Sequence, residues 1–518
     1  MTARNMNRRQ FLTLAGASAA GLAAHSLRPA GAAPGPTDVP ASAAPGPTDV
    51  PAGAADHTIR IGVGLIEAAP DKILSVKTYN GGFPGPLLRL KEGRKVTVDV
   101  YNDTDTPEQL HWHGQRAPIA VDGSAEEGTP FIPAHGMRRI EFVPGPAGFR
   151  FYHTHSPAGG DLTAGQYGGQ VGPVYIEPRN EPGAYDREVF LTLKEFAPSF
   201  SKGGDMAMDF LAGSELPDLR ARAAHNDRLA RGRPKGYEVG YDVFTINGKM
   251  LGHGEPVRVR RGQRVLFHVL NGSAGEIRSL ALPGHTFQVV ALDGNPVPHP
   301  VSVPVLYIGT AERVSAIVEM THPGVWVMGD LMDDDRDRGM GIVVEYAGSH
   351  GKPRWVKPAS GHWDYAWFGK PGGVPQSPHE TFLLTFDKQQ SAVGGFNRWT
   401  INGKAFPMMG ADAKGGGAGG MDMDSIEPLL KLTRGRRYRL RMRNASDDIH
   451  PMHLHRHSFE LTRVGGKATA GIHKDVVMVG GFQEADIDFT ADQPGLSLFH
   501  CHQQLHMDFG FMALFECA

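Results

Sequence analysis

One pattern occurs three times along this chain of 518 residues, each time with the same internal spacing. Each copy contains a Thr-X-Asn-Gly turn, then a glycine, an alternating apolar and polar stretch, and an asparagine nine residues after that glycine. The glycine and asparagine pairs are Gly93 with Asn102, Gly262 with Asn271, and Gly435 with Asn444. Alternation with a period of two between turn residues is typical of strands in β-sandwiches. The repeat therefore predicts an all-β chain of three homologous sandwiches of about 110–160 residues, an ordinary size for a domain.

Composition agrees with this fold class and excludes some functions. Glycine and proline number 67 and 39, a surplus that suits many short strands joined by turns. The formal net charge is only −2, so a basic surface for nucleic acid is not expected. One stretch without strand alternation, 205–233, carries five arginines and predicts an exposed helix or loop inserted in the second copy.

The N-terminus has the pattern of an export signal. The pair Arg8-Arg9 precedes an apolar stretch that ends in a small-residue cleavage site. Residues 1–32 are therefore predicted to be a signal peptide, of the twin-arginine type or alternatively of the general secretory type. Residues 33–56 form a Pro-rich linker that contains the sequence APGPTDVPA twice. No later run is apolar and long enough to cross a bilayer, so we expect a periplasmic or extracellular protein that leaves the membrane after cleavage.

Histidine is frequent and cysteine rare, with 24 and 2 residues, which favours a metal site over a disulfide framework. Four His-X-His pairs fall at equivalent positions in the first and third copies. The pairs are His111 with His113, His153 with His155, His453 with His455, and His500 with His502. The middle copy has Leu280, Leu282, Gly329 and Leu331 at these positions. Because residues i and i+2 of a strand share a face, the first and third sandwiches are expected to meet and to hold more than one metal ion.

Cys501 lies between His500 and His502, so the same alternation directs its sulfur to the opposite face. A thiolate with two imidazoles is the donor set of a mononuclear blue-copper site. His450 and His506 are the candidates to complete that set. The backbone would then join this site to the histidine cluster by a short path of covalent bonds.

Two further residues are expected to have structural roles. His457 shares the face of His455 but has no counterpart in the other pairs. Cys517 lies in the apolar terminal stretch 511–517 and is expected to be an unpaired thiol in the core.

Taken together, these motifs resemble the four copper motifs of the three-domain multicopper oxidases, the laccase-like enzymes. The matching segments are His-Trp-His-Gly at 111–114, His-Thr-His at 153–155, His-Pro-Met-His-Leu-His at 450–455, and His-Cys-His at 500–502 followed by His506. The resemblance covers residues 57–518 and implies three consecutive cupredoxin-like Greek-key β-sandwich domains. Their expected bounds are 57–180, 181–350 and 351–518, and the middle domain would hold no copper ligand.

The resemblance also implies four copper ions and a ligand set for each. The type 1 copper would be held by His450, Cys501 and His506, and the type 2 copper by His111 and His453. One type 3 ion would be held by His113, His153 and His502, and the other by His155, His455 and His500. Members of the family take single electrons from reducing donors at type 1 copper and reduce dioxygen to water at the other three ions. Electrons would enter at His506 and pass through Cys501.

This chain departs from many bacterial relatives at the axial position of the type 1 site. Phe511 stands ten residues after Cys501, where those relatives have methionine, and Met512 is expected to face the other way. Loss of a thioether ligand disfavours Cu(II) relative to Cu(I), so the sequence predicts a raised type 1 potential.

Two acids are candidates for delivering the protons that dioxygen reduction consumes. Asp508 follows His506 by two residues and resembles members of the family with an acid at that place. Asp122, eleven residues after His111, matches an acid found near the cluster in relatives. The alternative for both is an ordinary surface or turn acid.

The electron donor is the least constrained feature. Substituted phenols and aromatic amines are the leading class, and oxidation of Cu(I) in copper tolerance is the alternative. The alternative rests on a Gly-rich insertion, 408–423, with methionines at 408, 409, 421 and 423, because thioethers favour Cu(I). A third possibility is a copper-storage or electron-transfer protein, for which copper-loaded protein would consume no dioxygen.

Overall fold

A computed structural model of the chain describes residues 53–179, 184–201, 210–230, 233–359, 361–407 and 426–518. The predicted signal peptide, most of the linker and the methionine-bearing insertion 408–423 lie outside these residues. Within them, the chain forms six β-sheets and a few short helices. The prediction of an all-β chain is therefore confirmed.

The first repeat consists of eight strands in two sheets. They are β1 (His57–Ala69), β2 (Lys72–Tyr79), β3 (Leu88–Lys91), β4 (Val96–Asn102), β5 (His111–His113), β6 (Met137–Phe142), β7 (Gly148–His153) and β8 (Val171–Glu177). One sheet has the order β2-β1-β4-β6 and the other β3-β8-β7-β5. Two 3-10 helices, Ala125–Glu127 and Gly165–Tyr167, lie in its loops.

The described residues of the second repeat form eleven strands. They are β9 (Arg187–Ser201), β10 (Glu238–Ile246), β11 (Val257–Val259), β12 (Arg264–Asn271), β13 (Arg278–Ala281), β14 (Phe287–Leu292), β15 (Asn295–Val303), β16 (Val305–Ile308), β17 (Arg313–Glu319), β18 (Val325–Gly329) and β19 (Gly341–Tyr346). They form sheets of order β10-β9-β12-β17-β14-β15 and β11-β19-β18-β13-β16. The helices α1 (Pro217–Leu229) and α2 (Asp333–Asp337) are inserted in it.

The third repeat has the same arrangement of strands as the second. Its strands are β20 (Glu380–Val393), β21 (Phe396–Ile401), β22 (Leu430–Leu432), β23 (Arg437–Ala445), β24 (His450–Leu454), β25 (Phe459–Val464), β26 (Lys467–Lys474), β27 (Val476–Val479), β28 (Glu484–Thr490), β29 (Gly495–Cys501) and β30 (Met512–Cys517). The sheet orders are β21-β20-β23-β28-β25-β26 and β22-β30-β29-β24-β27. A 3-10 helix (Tyr365–Phe368) precedes these strands, and α3 (Gln504–Asp508) lies between β29 and β30.

Each repeat has a strand that begins soon after the glycine of the repeated pattern, and this strand shows why the repeats fold alike. In β23, the alternate side chains of Tyr438, Leu440 and Met442 are apolar and buried. The intervening arginines face outward, and Arg439 pairs with Asp488 on the neighbouring strand through two hydrogen bonds of 2.7 and 3.0 Å. Apolar burial on one face and cross-strand ion pairs on the other fix the register of the sheet.

The arginine-rich stretch contains helix α1, as the sequence predicts for part of it. The helix is mostly exposed but lies against the third repeat. Arg222 donates two hydrogen bonds of 2.5 and 2.7 Å to Asp387, and Arg443 donates one of 2.5 Å to Asp218. These ion pairs join the second repeat to the third.

Among the residues that the structure describes, no helix has the length and apolar character needed to cross a bilayer.

Candidate metal centre

The four His-X-His pairs lie at the ends of neighbouring strands. In the first repeat, His111 in β5 stands opposite His153 in β7. In the third repeat, His453 in β24 stands opposite His500 in β29. Each sheet therefore brings its two pairs together on neighbouring strands, as the spacing of the motifs predicts.

The histidine pairs of the first repeat lie directly against those of the third. The ring of His111 stacks on that of His455 with centroids 4.0 Å apart, and the ring of His113 stacks on that of His453 at 3.8 Å. Each stack joins a histidine of the first repeat to one of the third. All eight histidines are buried.

The histidine ring nitrogens, with a carboxylate oxygen of Asp122, fall into small groups whose atoms lie within 4.8 Å of one another. The groups are His111, His113 and His453; His113, His153 and His502; His155, His455 and His500; and His111, Asp122 and His455. Three or more nitrogen or oxygen atoms at this spacing can surround one metal ion. The structure thus brings together all eight histidines singled out for the cluster.

Hydrogen bonds outside the cluster decide which nitrogen each histidine directs inward. The Nδ1–H groups of four histidines donate to backbone carbonyls at 2.7–2.9 Å, so their Nε2 lone pairs are free. These four are His111, His153, His453 and His500. His113 is reversed, because its Nε2–H donates to Asp475 at 3.1 Å and its Nδ1 lies 3.4 Å from Nε2 of His153.

Several inward nitrogens have no hydrogen-bond partner despite full burial. They are Nε2 of His111, His155 and His453, and both ring nitrogens of His502. Buried nitrogens without partners are costly. A set of them facing one space fits bound metal ions, whose ligating histidines are usually oriented by a bond from the other nitrogen.

The electrostatics favour the metal-binding form of these side chains. Burial, with repulsion from neighbouring imidazoles, holds the pKa far below its usual value for His113, His153, His453, His455, His500 and His502. The rings are thus neutral at pH 7, as metal ligation requires. His155 differs: burial lowers its pKa, but Glu126, with a carboxylate oxygen 3.4 Å from Nδ1, makes the net shift upward.

Cys501 faces away from this cluster and joins a second group with His450 and His506. Its sulfur lies 3.8 Å from Nδ1 of His450 and 3.7 Å from Nδ1 of His506. Burial lowers the pKa of His506 to about 4 and raises the pKa of the Cys501 thiol. Two neutral imidazoles beside a thiol that a metal would deprotonate fit a blue-copper site.

Phe511 lines this second site, and Met512 does not. The Phe511 ring lies 4.8 Å from the ring of His450 and stacks on Trp399, with centroids 5.5 Å apart. Met512 packs in a separate apolar cluster with Phe406 and Met507. Methionine is therefore not directed at the Cys501 sulfur from position 512.

Five buried acids lie around the histidine cluster, and the sequence pointed to two of them, Asp122 and Asp508. Asp122 has one carboxylate oxygen 3.1 Å from Nδ1 of His111 and 3.2 Å from Nδ1 of His455. Asp508 accepts hydrogen bonds from the backbone N–H groups of residues 158 and 159 and from the Gln504 side chain. Burial raises the pKa of Asp508 to about 6, which allows this acid to exchange a proton near neutral pH.

The other three acids, Glu126, Glu127 and Asp475, were missed. The two glutamates lie in the first 3-10 helix, and Glu127 has an oxygen 3.3 Å from Nδ1 of His455. Burial and the neighbouring Asp122 raise the pKa of Glu127 well above its usual value. The two glutamates follow His111 by 15 and 16 residues, but no alternation along a strand relates them to it, so only the fold reveals their position.

The structure also shows where His457 and Cys517 lie, the two residues expected to have structural roles. His457 donates its Nδ1–H to the His455 carbonyl, 3.0 Å away, and belongs to none of the groups above. Because a carbonyl only accepts, the His457 Nδ1 carries the proton. Cys517 is buried and unpaired, and its thiol donates to the carbonyl of Ala491 at 3.4 Å.

The middle repeat fills the equivalent positions with core side chains. Leu280 and Leu282 are 0% and 1% exposed, and Gly329 ends strand β18 opposite Ala281. Apolar packing replaces metal binding there.

A cavity of about 230 Å³ opens beside His506 between the second and third repeats. Its lining includes three acids, Glu238, Glu276 and Asp448, as well as Tyr241. Burial raises the pKa of Glu276 to about 7. A small molecule in this cavity would contact an edge of the Cys501 site and a group able to accept a proton.

Comparison with known proteins places this geometry in a family. Profiles of the multicopper oxidase family match residues 64–181, 220–342 and 387–518. The chain is 28% identical over 449 residues to the multicopper oxidase MmcO of Mycobacterium tuberculosis, covering 84% of this chain and 81% of that protein. It is 31% identical over 277 residues to copper resistance protein A of Pseudomonas syringae pv. tomato, covering 49% of this chain and 44% of that protein.

A laccase from Botrytis aclada is similar in structure. The TM-score is 0.67 at 19% identity, and the match covers 89% of this chain and 87% of the laccase. At this identity the likeness concerns the fold, and it confirms three cupredoxin-like domains.

Proposed function

Because this chain belongs to the multicopper oxidase family, we propose that it couples four one-electron oxidations of phenolic or aromatic-amine donors to the reduction of dioxygen to water. Family membership makes it a copper-dependent oxidoreductase with dioxygen as acceptor. The donor class, the number of copper ions and the ligand assignment are our proposals. Four electrons and four protons are needed to convert one dioxygen molecule into two water molecules.

The observation that carries the proposal is the position of Cys501 between the two groups of side chains. Its sulfur belongs to the group with His450 and His506, while its neighbours His500 and His502 belong to the cluster. A short path of covalent bonds thus joins a site that can accept one electron to a site that can collect several. Storage or simple electron transfer does not require this connection.

We propose four copper ions. Type 1 would be held by His450, Cys501 and His506, type 2 by His111 and His453, and the type 3 pair by His113, His153 and His502 and by His155, His455 and His500. When bound, the copper ions supply one-electron redox chemistry and the binding of dioxygen. The inward lone pairs, the neutral rings and the unpartnered nitrogens described above support this assignment.

Asp122 and Asp508 are proposed to move protons. Asp122 contacts a type 2 and a type 3 histidine, so a change in its protonation acts on both. With a pKa of about 6, Asp508 can release and regain a proton at physiological pH.

The cavity beside His506 is the proposed donor site. One-electron oxidation of a phenol releases a proton, and Glu276, with its pKa of about 7, can accept it. None of the lining residues that the structure describes is a methionine. The cavity thus suits phenols and aromatic amines better than Cu(I), which prefers soft sulfur ligands.

Oxidation of Cu(I) remains a second candidate because of the likeness to copper resistance protein A and the methionines of 408–423. Oxygen uptake with a panel of donors tests the two. We expect phenols and aromatic amines to drive oxygen uptake without added Cu(II), and removal of residues 408–423 to leave their rates within about twofold. Uptake that needs Cu(I), or phenol oxidation that needs both added Cu(II) and residues 408–423, would favour the second candidate. No uptake with any donor would mean storage or electron transfer.

Export and domain bounds complete the proposal. We propose that residues 1–32 are a twin-arginine signal, so that the folded protein works in the periplasm or outside the cell. The proposed domains are 57–180, 181–350 and 351–518, because strands β8 and β9 and strands β19 and β20 lie on either side of these bounds.

Replacement of Phe511 by methionine tests the proposed raised potential. A thioether at 511 would add a further donor to the His450, Cys501 and His506 set and so stabilise Cu(II), the more highly charged ion. We therefore expect Phe511→Met to lower the type 1 potential in a redox titration followed by the blue absorption. Met512→Leu is the matched control, because Met512 packs away from Cys501. A potential that is unchanged in Phe511→Met, or that shifts in Met512→Leu, contradicts the assignment of the axial position.

A further inference from the structure

Six buried charged side chains join the three repeats behind the histidine cluster. They are Arg150 of the first repeat, Asp293, Glu312 and Arg313 of the second, and Lys474 and Asp475 of the third. None is more than 2% exposed, and their formal charges sum to zero. Burying so many charges is costly and seldom adds stability. A buried network of this size therefore points to a role beyond stability.

Asp475 is the member that touches the cluster, and it does so twice. Its carboxylate Oδ1 accepts from Nε2–H of His113 at 3.1 Å. Its backbone carbonyl accepts from Nδ1–H of His453 at 2.7 Å. One residue thus orients a histidine of the first repeat and a histidine of the third, whose rings stack on each other.

Arg313 of the middle repeat holds this carboxylate in place. Its Nη1 donates to Oδ1 at 2.7 Å and its Nη2 donates to Oδ2 at 2.6 Å, the paired geometry that fixes a carboxylate most firmly. Arg150 adds a bond of 3.2 Å to Oδ2. The guanidinium is itself anchored, because Nη1 also donates to the Ala311 carbonyl at 2.8 Å and Nη2 to the Asp293 carbonyl at 3.2 Å.

His113 depends on this arrangement more than its neighbours do. The four histidines anchored through Nδ1–H use backbone carbonyls, which cannot rotate away. His113 must present Nδ1 to the cluster, and its Nε2–H is held by the Asp475 side chain. The next residue, Gly114, has φ +73°, and a Cβ there would lie 2.5 Å from Oδ2 of Asp475. Glycine thus lets the chain after His113 pass directly against the Arg313 and Asp475 pair.

We propose that Arg313, in the repeat that lacks metal-binding histidines, is a positioning residue for the copper cluster. It fixes the Asp475 carboxylate, which keeps the proton of His113 on Nε2 and leaves Nδ1 as the ligand atom. The middle repeat thereby takes part in assembling a site that it does not itself ligate. This inference rests on the proposed function, because it takes His113 to be a type 3 ligand.

Arg313→Lys in the full-length, copper-loaded protein is the first test. Lysine keeps the charge but cannot form the paired bonds. We expect the variant to keep its type 1 copper and blue absorption, and to bind the cluster coppers about 10–100-fold more weakly, the usual effect of losing such an orienting partner. The readouts are copper per chain after dialysis against a chelator and the absorption of the oxidised type 3 pair. Arg439→Lys, which breaks the similar pair with Asp488, should lose none of these copper ions.

Asp475→Asn is a second test that keeps the size of the side chain. Oδ2 accepts from two arginine groups and Oδ1 from one, so the amide oxygen should take the Oδ2 position and the NH₂ group should face Nε2 of His113. An NH₂ group donates to Nε2 and moves the proton to Nδ1, which blocks ligation. We expect the same selective loss of type 3 absorption as in Arg313→Lys.

The outcomes separate this inference from the proposed function. If either variant folds with intact type 1 absorption and wild-type cluster copper, the positioning role is wrong. If both lose type 1 and cluster copper together, the network has only a structural role, and the inference is again overturned. If the wild-type protein binds no cluster copper, the proposed function fails instead.

Discussion

Cys501→Ser is expected to abolish the blue absorption and to lower turnover with every donor by at least about 10³-fold, the scale seen when one member of an interdependent catalytic set is removed. Serine fits the space but provides no thiolate, so His450 and His506 alone would be left to hold a type 1 ion. The cluster should keep its three copper ions, because His500 and His502 face the other way. Absorption, copper per chain and oxygen uptake measure these three effects.

Cys517→Ser is the matched control for this experiment. Cys517 is the other cysteine of the chain and is also buried, but its thiol contacts only the Ala491 carbonyl among the hydrogen bonds of the described residues. We expect the Cys517→Ser variant to retain the blue absorption and full turnover. Blue absorption that survives in Cys501→Ser, or that disappears in Cys517→Ser, would show that the type 1 site is assigned to the wrong cysteine.

Asp122→Asn is expected to lower turnover by about 10²–10⁴-fold, the contribution typical of a proton-transferring side chain. The variant removes the carboxylate that lies within 3.2 Å of both His111 and His455. Reduction of type 1 copper by the donor without oxygen should be unchanged, because Asp122 lies at the cluster and not at Cys501. Stopped-flow reduction and steady-state oxygen uptake distinguish the two steps.

Asp330→Asn provides the comparison for Asp122→Asn. Asp330 is equally buried but lies in the middle repeat, where it accepts hydrogen bonds from Ser279. We expect the Asp330→Asn variant to keep the turnover of the wild-type protein. Turnover of Asp122→Asn equal to that of the wild type would remove Asp122 from proton delivery.

The sequence predicts those parts of the site that depend on local geometry. Alternation along a strand is a property of the backbone, so the spacing of His111 and His113, and of His500, Cys501 and His502, is enough to say which side chains share a face. The equal spacing of the three repeats then predicts which histidine positions correspond, and the structure brings those of the first and third repeats together. Phe511, just before the last strand, and Met512, its first residue, follow the same rule.

The parts that depend on packing between distant segments could not be predicted. Glu127 reaches His455 from a 3-10 helix more than 300 residues away in sequence. Arg313 and Asp475 meet only because the middle repeat packs against the other two. The cavity beside His506 likewise combines residues of the second and third repeats. No spacing rule within one strand or one repeat contains this information.

Copper titration of the purified protein tests the central claim most directly. If the first and third repeats share a trinuclear cluster and the third repeat holds a separate type 1 ion, binding should saturate at four copper ions per chain, with three lost together when His113 or His455 is replaced by alanine. Saturation at a single ion in the wild-type protein would contradict the shared cluster and, with it, the proposed four-electron reduction of dioxygen.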